Sequence, residues 1–184
     1  VLEGGSVDVN GRGTVITTRS CLLNTNRNPS LSPEEIEELL KEYLGLVKII
    51  WLNEGIVGDD TDGHIDDIAR FVAPSTVVCA YESDTADANY PALHENYEIL
   101  KKSTDQDGRP LTVVKLPMPA RVASGDERFP ATYTNFYIGN AAVIVPVFND
   151  PNDAVALQIL QSLYHDRKVI GIDARALVEG CVTF

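Results

Sequence analysis

One three-part pattern occurs three times along the chain, and it limits the possible folds more than any single motif does. In the first copy, Ser6-Val7-Asp8-Val9 and Thr14-Val15-Ile16-Thr17 flank Asn10-Gly11, a dipeptide that favours a hairpin turn. Ser32-Pro33-Glu34-Glu35 then has the form of a helix start, with Ser32 as N-cap, Pro33 first in the helix and Glu35 closing a capping box. Ile36, Leu39, Leu40 and Tyr43 follow at helical spacing, Gly45 supplies a stop, and residues 47–52 read as a strand. The second copy places strands at 68–72 and 76–81 around Pro74-Ser75, a helix at 90–101 carrying Leu93, Tyr97 and Leu100, and a strand at 111–116. The third has a strand at 133–138, a turn at Gly139-Asn140, a strand at 142–147, a helix at 151–164 capped by Asn149 or Asp150, and a strand at 169–172.

The third strands end near Leu52, Leu116 and Ile172, giving periods of 64 and 56 residues. Three ββαβ units, at about 1–57, 58–120 and 121–184, predict an α/β repeat architecture, because one such unit alone buries too little apolar surface. The competing expectation is an ordinary α/β sandwich whose meander happens to look periodic. If the units are arranged around an axis, their polar or glycine-rich lead-in segments converge there. Those segments are Leu2-Glu3-Gly4-Gly5, Gly63-His64-Ile65-Asp66 and Ala131-Thr132-Tyr133-Thr134-Asn135, so Glu3, His64, Asp66 and Asn135 would be neighbours.

Charge narrows the ligands. With 27 acidic residues against 15 basic ones, the net charge is −12, which argues against nucleic acid and favours a cationic small molecule. No apolar run approaches the roughly 20 residues that span a bilayer, and no secretory leader opens the chain, so a cytoplasmic protein without a membrane partner is expected. The chain begins Val1-Leu2-Glu3 without a methionine, as a chain that has lost its natural start would. Cys21, Cys79 and Cys181 are odd in number and lack Cys-x-x-Cys spacing, which fits reduced thiols better than disulfides or structural zinc. Cys79, within Val77-Val78-Cys79-Ala80-Tyr81, is expected in the core.

The densest chemistry lies in Gly58-Asp59-Asp60-Thr61-Asp62-Gly63-His64-Ile65-Asp66-Asp67. Strand-like alternation from His64 would put His64 and Asp66 on a common face. An EF-hand loop fails, because placing Gly63 at the sixth position puts Gly58 and Ala69 where carboxylates are required. A looser Asp/His site for a divalent ion stays open, and neither a phosphate-binding glycine loop nor a serine nucleophile elbow occurs. Asp66 suits a guanidinium, whose fork matches a carboxylate in a two-pronged fashion. At about 4 Å such a pair is worth roughly 4 kcal/mol before desolvation, at an effective dielectric of about 20. His64 is the acid/base candidate, and Glu3 could orient the imidazole. The alternative is a capped loop with solvated acids.

Leu2-Glu3-Gly4-Gly5-Ser6, Leu23-Asn24-Thr25-Asn26-Arg27-Asn28-Pro29, Trp51-Leu52 with the Gly58-to-Asp66 stretch, and Asn135-Phe136-Tyr137-Ile138 with Val143-Ile144-Val145-Pro146 resemble agmatine deiminases. These belong with the bacterial-type peptidylarginine deiminases, and the resemblance runs through all 184 residues in one register. It implies a five-bladed α/β propeller of the pentein kind, of which three ββαβ units are present as a single incomplete domain over 1–184. It also implies hydrolysis of agmatine to N-carbamoylputrescine and ammonia, toward putrescine, with no metal or cofactor. A cysteine thiolate attacks the guanidinium carbon, and water resolves the thiouronium intermediate. By this resemblance His64 matches the acid/base, Asp66 a guanidinium-binding carboxylate and Glu3 the partner of that histidine and of the substrate. Asp60 and Asn135 are further candidates for substrate contact, and Cys181-Val182-Thr183 echoes the nucleophile segment.

Two departures stand out. The family's Trp-x-Arg-Asp-x-Gly-Pro motif, which supplies a second guanidinium-binding Asp upstream of Glu-Gly-Gly, has no counterpart before Val1. Residues 173–180 also replace the glycine-rich segment and histidine that precede the family's cysteine. The chain is therefore either a hydrolase using Cys181 or a truncated relative acting as a binding or assembly module. Deimination of peptidyl or free arginine is a third expectation, and self-association is expected from three units left open.

Overall fold

The computed structural model describes residues 1–180 and 183, so the candidate nucleophile Cys181 lies outside the described residues. The first unit comprises β1 (Val7–Val9), β2 (Thr14–Thr18), a short α1 (Arg19–Leu22), α2 (Pro33–Leu44) and β3 (Lys48–Leu52). The second comprises β4 (Ala69–Ala73), β5 (Thr76–Tyr81), α3 (Tyr90–Lys102) and β6 (Thr112–Pro117), followed by a small hairpin of β7 (Ala123–Ser124) and β8 (Glu127–Arg128). The third comprises β9 (Tyr137–Ile138), β10 (Ala142–Val147), α4 (Pro151–Leu163), β11 (Lys168–Asp173) and a short α5 (Arg175–Val178).

Each unit has one three-stranded mixed sheet: an antiparallel pair, then a helical crossover to a parallel third strand. The parallel ladders begin at Lys48, Thr112 and Lys168, which lie 64 and 56 residues apart, the spacing read from the sequence. Among the described residues the sheets stay separate and form no closed barrel. No helix among them is long and apolar enough to cross a membrane.

Local chemistry explains most boundaries. Ser32 accepts from the Glu35 amide while Glu35 reaches back to the Ser32 amide, and Gly45 ends α2 in the left-handed region at φ 65°. Asp150, not Asn149, caps α4 through the same reciprocal pair with Asp153. The hairpin after β1 is a correction in detail. Asn10 Oδ1 accepts from the amides of Arg12 and Thr14, so the connection runs over residues 10–13 rather than through a two-residue Asn-Gly turn.

Two expected strands are also corrected. Only Tyr137 and Ile138 of the stretch 133–138 pair with β10. Ahead of them, Thr132 and Thr134 share a side-chain hydrogen bond and Tyr133 donates to Asp153, interactions that compete with a ladder. Residues 65–67, expected to alternate as a strand, instead form a 3-10 turn with His64 at its N-cap.

The core is layered between the sheets. α3 buries Leu93 and Leu100 with Ile16, Ile50 and Leu52 of the first sheet and Val77 and Cys79 of the second. α4 repeats this one unit on, burying Ala156 and Leu160 against Val78, Leu116, Val143 and Val145. α2 covers Val15, Cys21 and Leu22 but leaves Leu39, Tyr43 and Leu44 exposed.

Polar bonds join the units at one repeated place. Asp8, Arg70 and Tyr137 occupy equivalent positions, facing Ile16, Val78 and Ile144 across their hairpins. Asp8 pairs with Arg70 and accepts from the Phe71 amide at 2.7 Å, while Arg70 donates to the Phe136 carbonyl at 3.0 Å. The Arg70 guanidinium also lies 5.1 Å from the centre of the Phe136 ring. Burial pushes the Asp8 carboxyl up, and Arg70 opposes that shift. Arg70→Met strands a buried carboxylate, for which about 3–5 kcal/mol of destabilisation is expected. Urea unfolding should show it, with a smaller loss at about pH 5 than at about pH 8 because Asp8 then takes up a proton.

Candidate active site

The lead-in segments of the first two units meet as the repeat requires. Gly4–Ser6 forms a 3-10 turn packed against the turn at Ile65–Asp67. Glu3, at the N-cap of the first turn, places Oε2 2.7 Å from Nε2 of His64. A Cβ on Gly5 would lie 2.5 Å from His64 Nδ1 and 2.6 Å from Asp66 Oδ2. Only glycine lets the backbone enter between imidazole and carboxylate at that distance. The common face expected of His64 and Asp66 therefore exists around Gly5, made by a 3-10 turn rather than by strand alternation.

The acid-rich loop before His64 is held chiefly by Asp59. Its carboxylate accepts from the amides of Thr61, Gly63 and His64 and from the Thr61 hydroxyl. Gly63, at φ 97°, completes the reversal, and Thr18 donates to its carbonyl at 2.5 Å. Asp60 is exposed. Asn135 reaches the second unit by donating to Asp67 Oδ1 at 2.8 Å, one residue from Asp66.

Arg27 was not singled out as a site residue from sequence. Its guanidinium donates to Glu3 Oε2 at 2.8 Å, to Asp62 Oδ2 at 2.6 Å and to the Thr61 carbonyl at 2.9 Å, so one cation fixes both the glutamate and the loop. A lone arginine among Asn24, Asn26 and Asn28 in so acidic a chain was the available signal. Cys21 is the other addition. It is fully buried on α1, and its Sγ belongs to a group with Glu3 and His64 whose ligand atoms all lie within 4.8 Å of one another.

The carboxylates differ in acidity for physical reasons. Hydrogen bonds from His64 and then Arg27 hold Glu3 below the ordinary range. Burial raises Asp66, with the charges of His64 and Arg70 opposing. Asp67 is pushed well up by burial and by its neighbour Asp66. Asp66 Oδ1 is buried with no hydrogen-bond partner among the described residues. The site thus combines an imidazole backed by an ionised glutamate with a buried acceptor oxygen that lacks a donor among the described residues.

The whole chain, residues 1–184, matches the profile of the Porphyromonas-type peptidyl-arginine deiminases, and it belongs to that family. Among individual relatives, a Latilactobacillus sakei protein provisionally named an agmatine deiminase is 44% identical over 206 residues, covering 100% of this chain and 56% of its own length. The agmatine deiminase of Enterococcus faecalis superposes with a TM-score of 0.93 at 42% identity, over 98% of this chain and 54% of that one. A C. jejuni agmatine deiminase variant with substrate bound gives a TM-score of 0.92 at 40% identity, over 100% of this chain and 54% of its own. The chain thus shares their fold and spans about half the length of the curated relatives it matches.

Since burial raises Asp66 and Asp67 above their unfolded values, the stability they contribute is full below about pH 4 and is lost as pH rises through their folded-state pKa. Asp67→Asn keeps the acceptor for Asn135 and removes one of these titrations. Its melting temperature should fall less between about pH 4 and pH 8 than that of the parent protein. Parallel curves in calorimetry would assign the decline to other groups.

Proposed function

We propose that this chain is the larger part of an agmatine-hydrolysing site, built from one incomplete domain of three ββαβ units in a five-bladed propeller. The unpartnered Oδ1 of Asp66 beside the His64–Glu3 pair carries the reading, because a guanidinium would satisfy that oxygen and place its carbon near the imidazole. A radial arrangement is supported by the junctions. One register position, Asp8 and then Arg70, joins the first unit to the second and the second to the third.

In this reading Asp66 and Glu3 hold the guanidinium. A thiolate, assigned to Cys181, adds to the guanidinium carbon. His64 gives its proton to the departing nitrogen, so that ammonia leaves and a thiouronium remains. Water, losing a proton to His64, then displaces the sulfur and yields the ureido product. Asn135 acts indirectly by fixing Asp67, while the exposed Asp60 is left for the substrate's distant amine. The thiols of Cys21 and Cys79 are free, which suits a reducing cytoplasm.

A second reading keeps the same Glu3, His64 and Asp66 arrangement as a module that binds agmatine without turning it over. Ammonia release from agmatine separates the two. Under the first, intact mass shows a covalent adduct lost in Cys181→Ala, and His64→Gln lowers the rate by about 100- to 10,000-fold. Calorimetric binding without ammonia would leave the module. Neither heat nor ammonia would remove agmatine as a ligand, and turnover from arginine or a peptidyl-arginine in its place would reassign the substrate.

We also expect the isolated chain to self-associate through apolar surface that a full propeller would cover. Leu39, Tyr43 and Leu44 are exposed on α2, and Ile170 and Ile172 on β11. Sedimentation at rising concentration should show a growing mass, and a monodisperse monomer throughout would refute this.

A further inference from the structure

Outside the proposed reaction, one thiol has no assigned work although it sits beside the acid/base. We propose that Glu3, Cys21 and His64 form a binding site for a thiophilic divalent cation, with zinc the natural fit. A carboxylate oxygen of Glu3, Nε2 or Nδ1 of His64 and Sγ of Cys21 lie within 4.8 Å of one another. Zinc bonds of about 2.0–2.3 Å to nitrogen, oxygen and sulfur set its ligands roughly 3.5 Å apart, so small side-chain rotations close the set around an ion.

The donor types also agree. One soft sulfur, one imidazole and one carboxylate suit zinc rather than calcium or magnesium, which take oxygen donors. Three protein ligands leave a fourth position for water. The ligands come from three separately fixed places. Thr18 accepts from the Cys21 amide at 3.3 Å, the Glu3 turn is closed by Ser6, and Asp59 accepts from the His64 amide at 3.1 Å. Arg27 and His64 both meet Oε2 of Glu3, so an ion would share that carboxylate with Arg27. The Glu3 side chain is 40% exposed and gives the ion a way in.

Burial pushes the Cys21 thiol up to about 11, with Arg27 working against that rise. Resting on the hydrolase reading above, bound zinc would take the lone pair that His64 needs and so hold the enzyme off.

The test uses the full chain with a non-chelating reductant and Co²⁺ as a spectroscopic probe. One equivalent of Co²⁺ should give a near-ultraviolet thiolate charge-transfer band and the visible bands of a tetrahedral ion, both erased by Zn²⁺. The charge-transfer band should vanish in Cys21→Ala and persist in Cys79→Ala and Cys181→Ala, with circular dichroism checking each fold. His64→Gln, at a partly exposed position, should weaken binding at least about tenfold. No band in the parent chain, or one that survives Cys21→Ala, overturns the site. Ammonia release is measured on the metal-free protein: turnover there with no band on adding Co²⁺ removes the metal site alone, and a band from a chain that releases no ammonia even without metal removes the hydrolase reading alone.

Discussion

A half-buried guanidinium ties the three units together. Arg70 reaches back to Asp8 and forward to the Phe136 carbonyl, while Asp8 also takes up the Phe71 amide. Taking both charges out of water costs several kcal/mol, and an apolar pair could fill the same space. What the ion pair adds is direction, because a carboxylate and a planar guanidinium meet in few geometries, whereas packed Leu and Val side chains tolerate sliding. The relative placement of the sheets, and hence of their lead-in segments, follows from that meeting.

The candidate site depends on this placement. Glu3 and Gly5 come from before β1, and His64 and Asp66 from before β4, so a slip between the first two units would separate them. The acids there divide by surroundings. Glu3 stands at the surface, hydrogen-bonded to His64 and Arg27, and stays ionised, whereas burial penalises charge on Asp66 and Asp67. An ionised glutamate can support an imidazolium, and a buried carboxylate without a donor gains most from a cationic ligand.

Much of this was legible in the sequence, and the failures have physical causes. Ser32, Glu35 and Gly45 bound α2 through contacts within a few residues, so their meaning could be read locally. The repeat was visible because each crossover must span the same sheet, and the ladder starts keep the expected spacing. From the repeat came the meeting of Glu3 with His64. Arg27, Asp59 and Cys21 stayed hidden as site residues, since their roles arise from partners brought close only by the fold. The stretch around His64 read as a strand because alternation cannot register that Asp59 collects three amides and bends the chain. Residues 133–136 misled in the same way, their polar side chains bonding to one another and to Asp153.

Asp8, Arg70 and Tyr137 stand at the same place in three copies of one design, yet they are an acid, a base and a largely exposed phenol. The copies are therefore no longer interchangeable parts. Shuffling their order, or building a ring from any one of them, would set like beside like or leave a charge facing nothing. The difference at this one register position gives the three units a fixed order along the series.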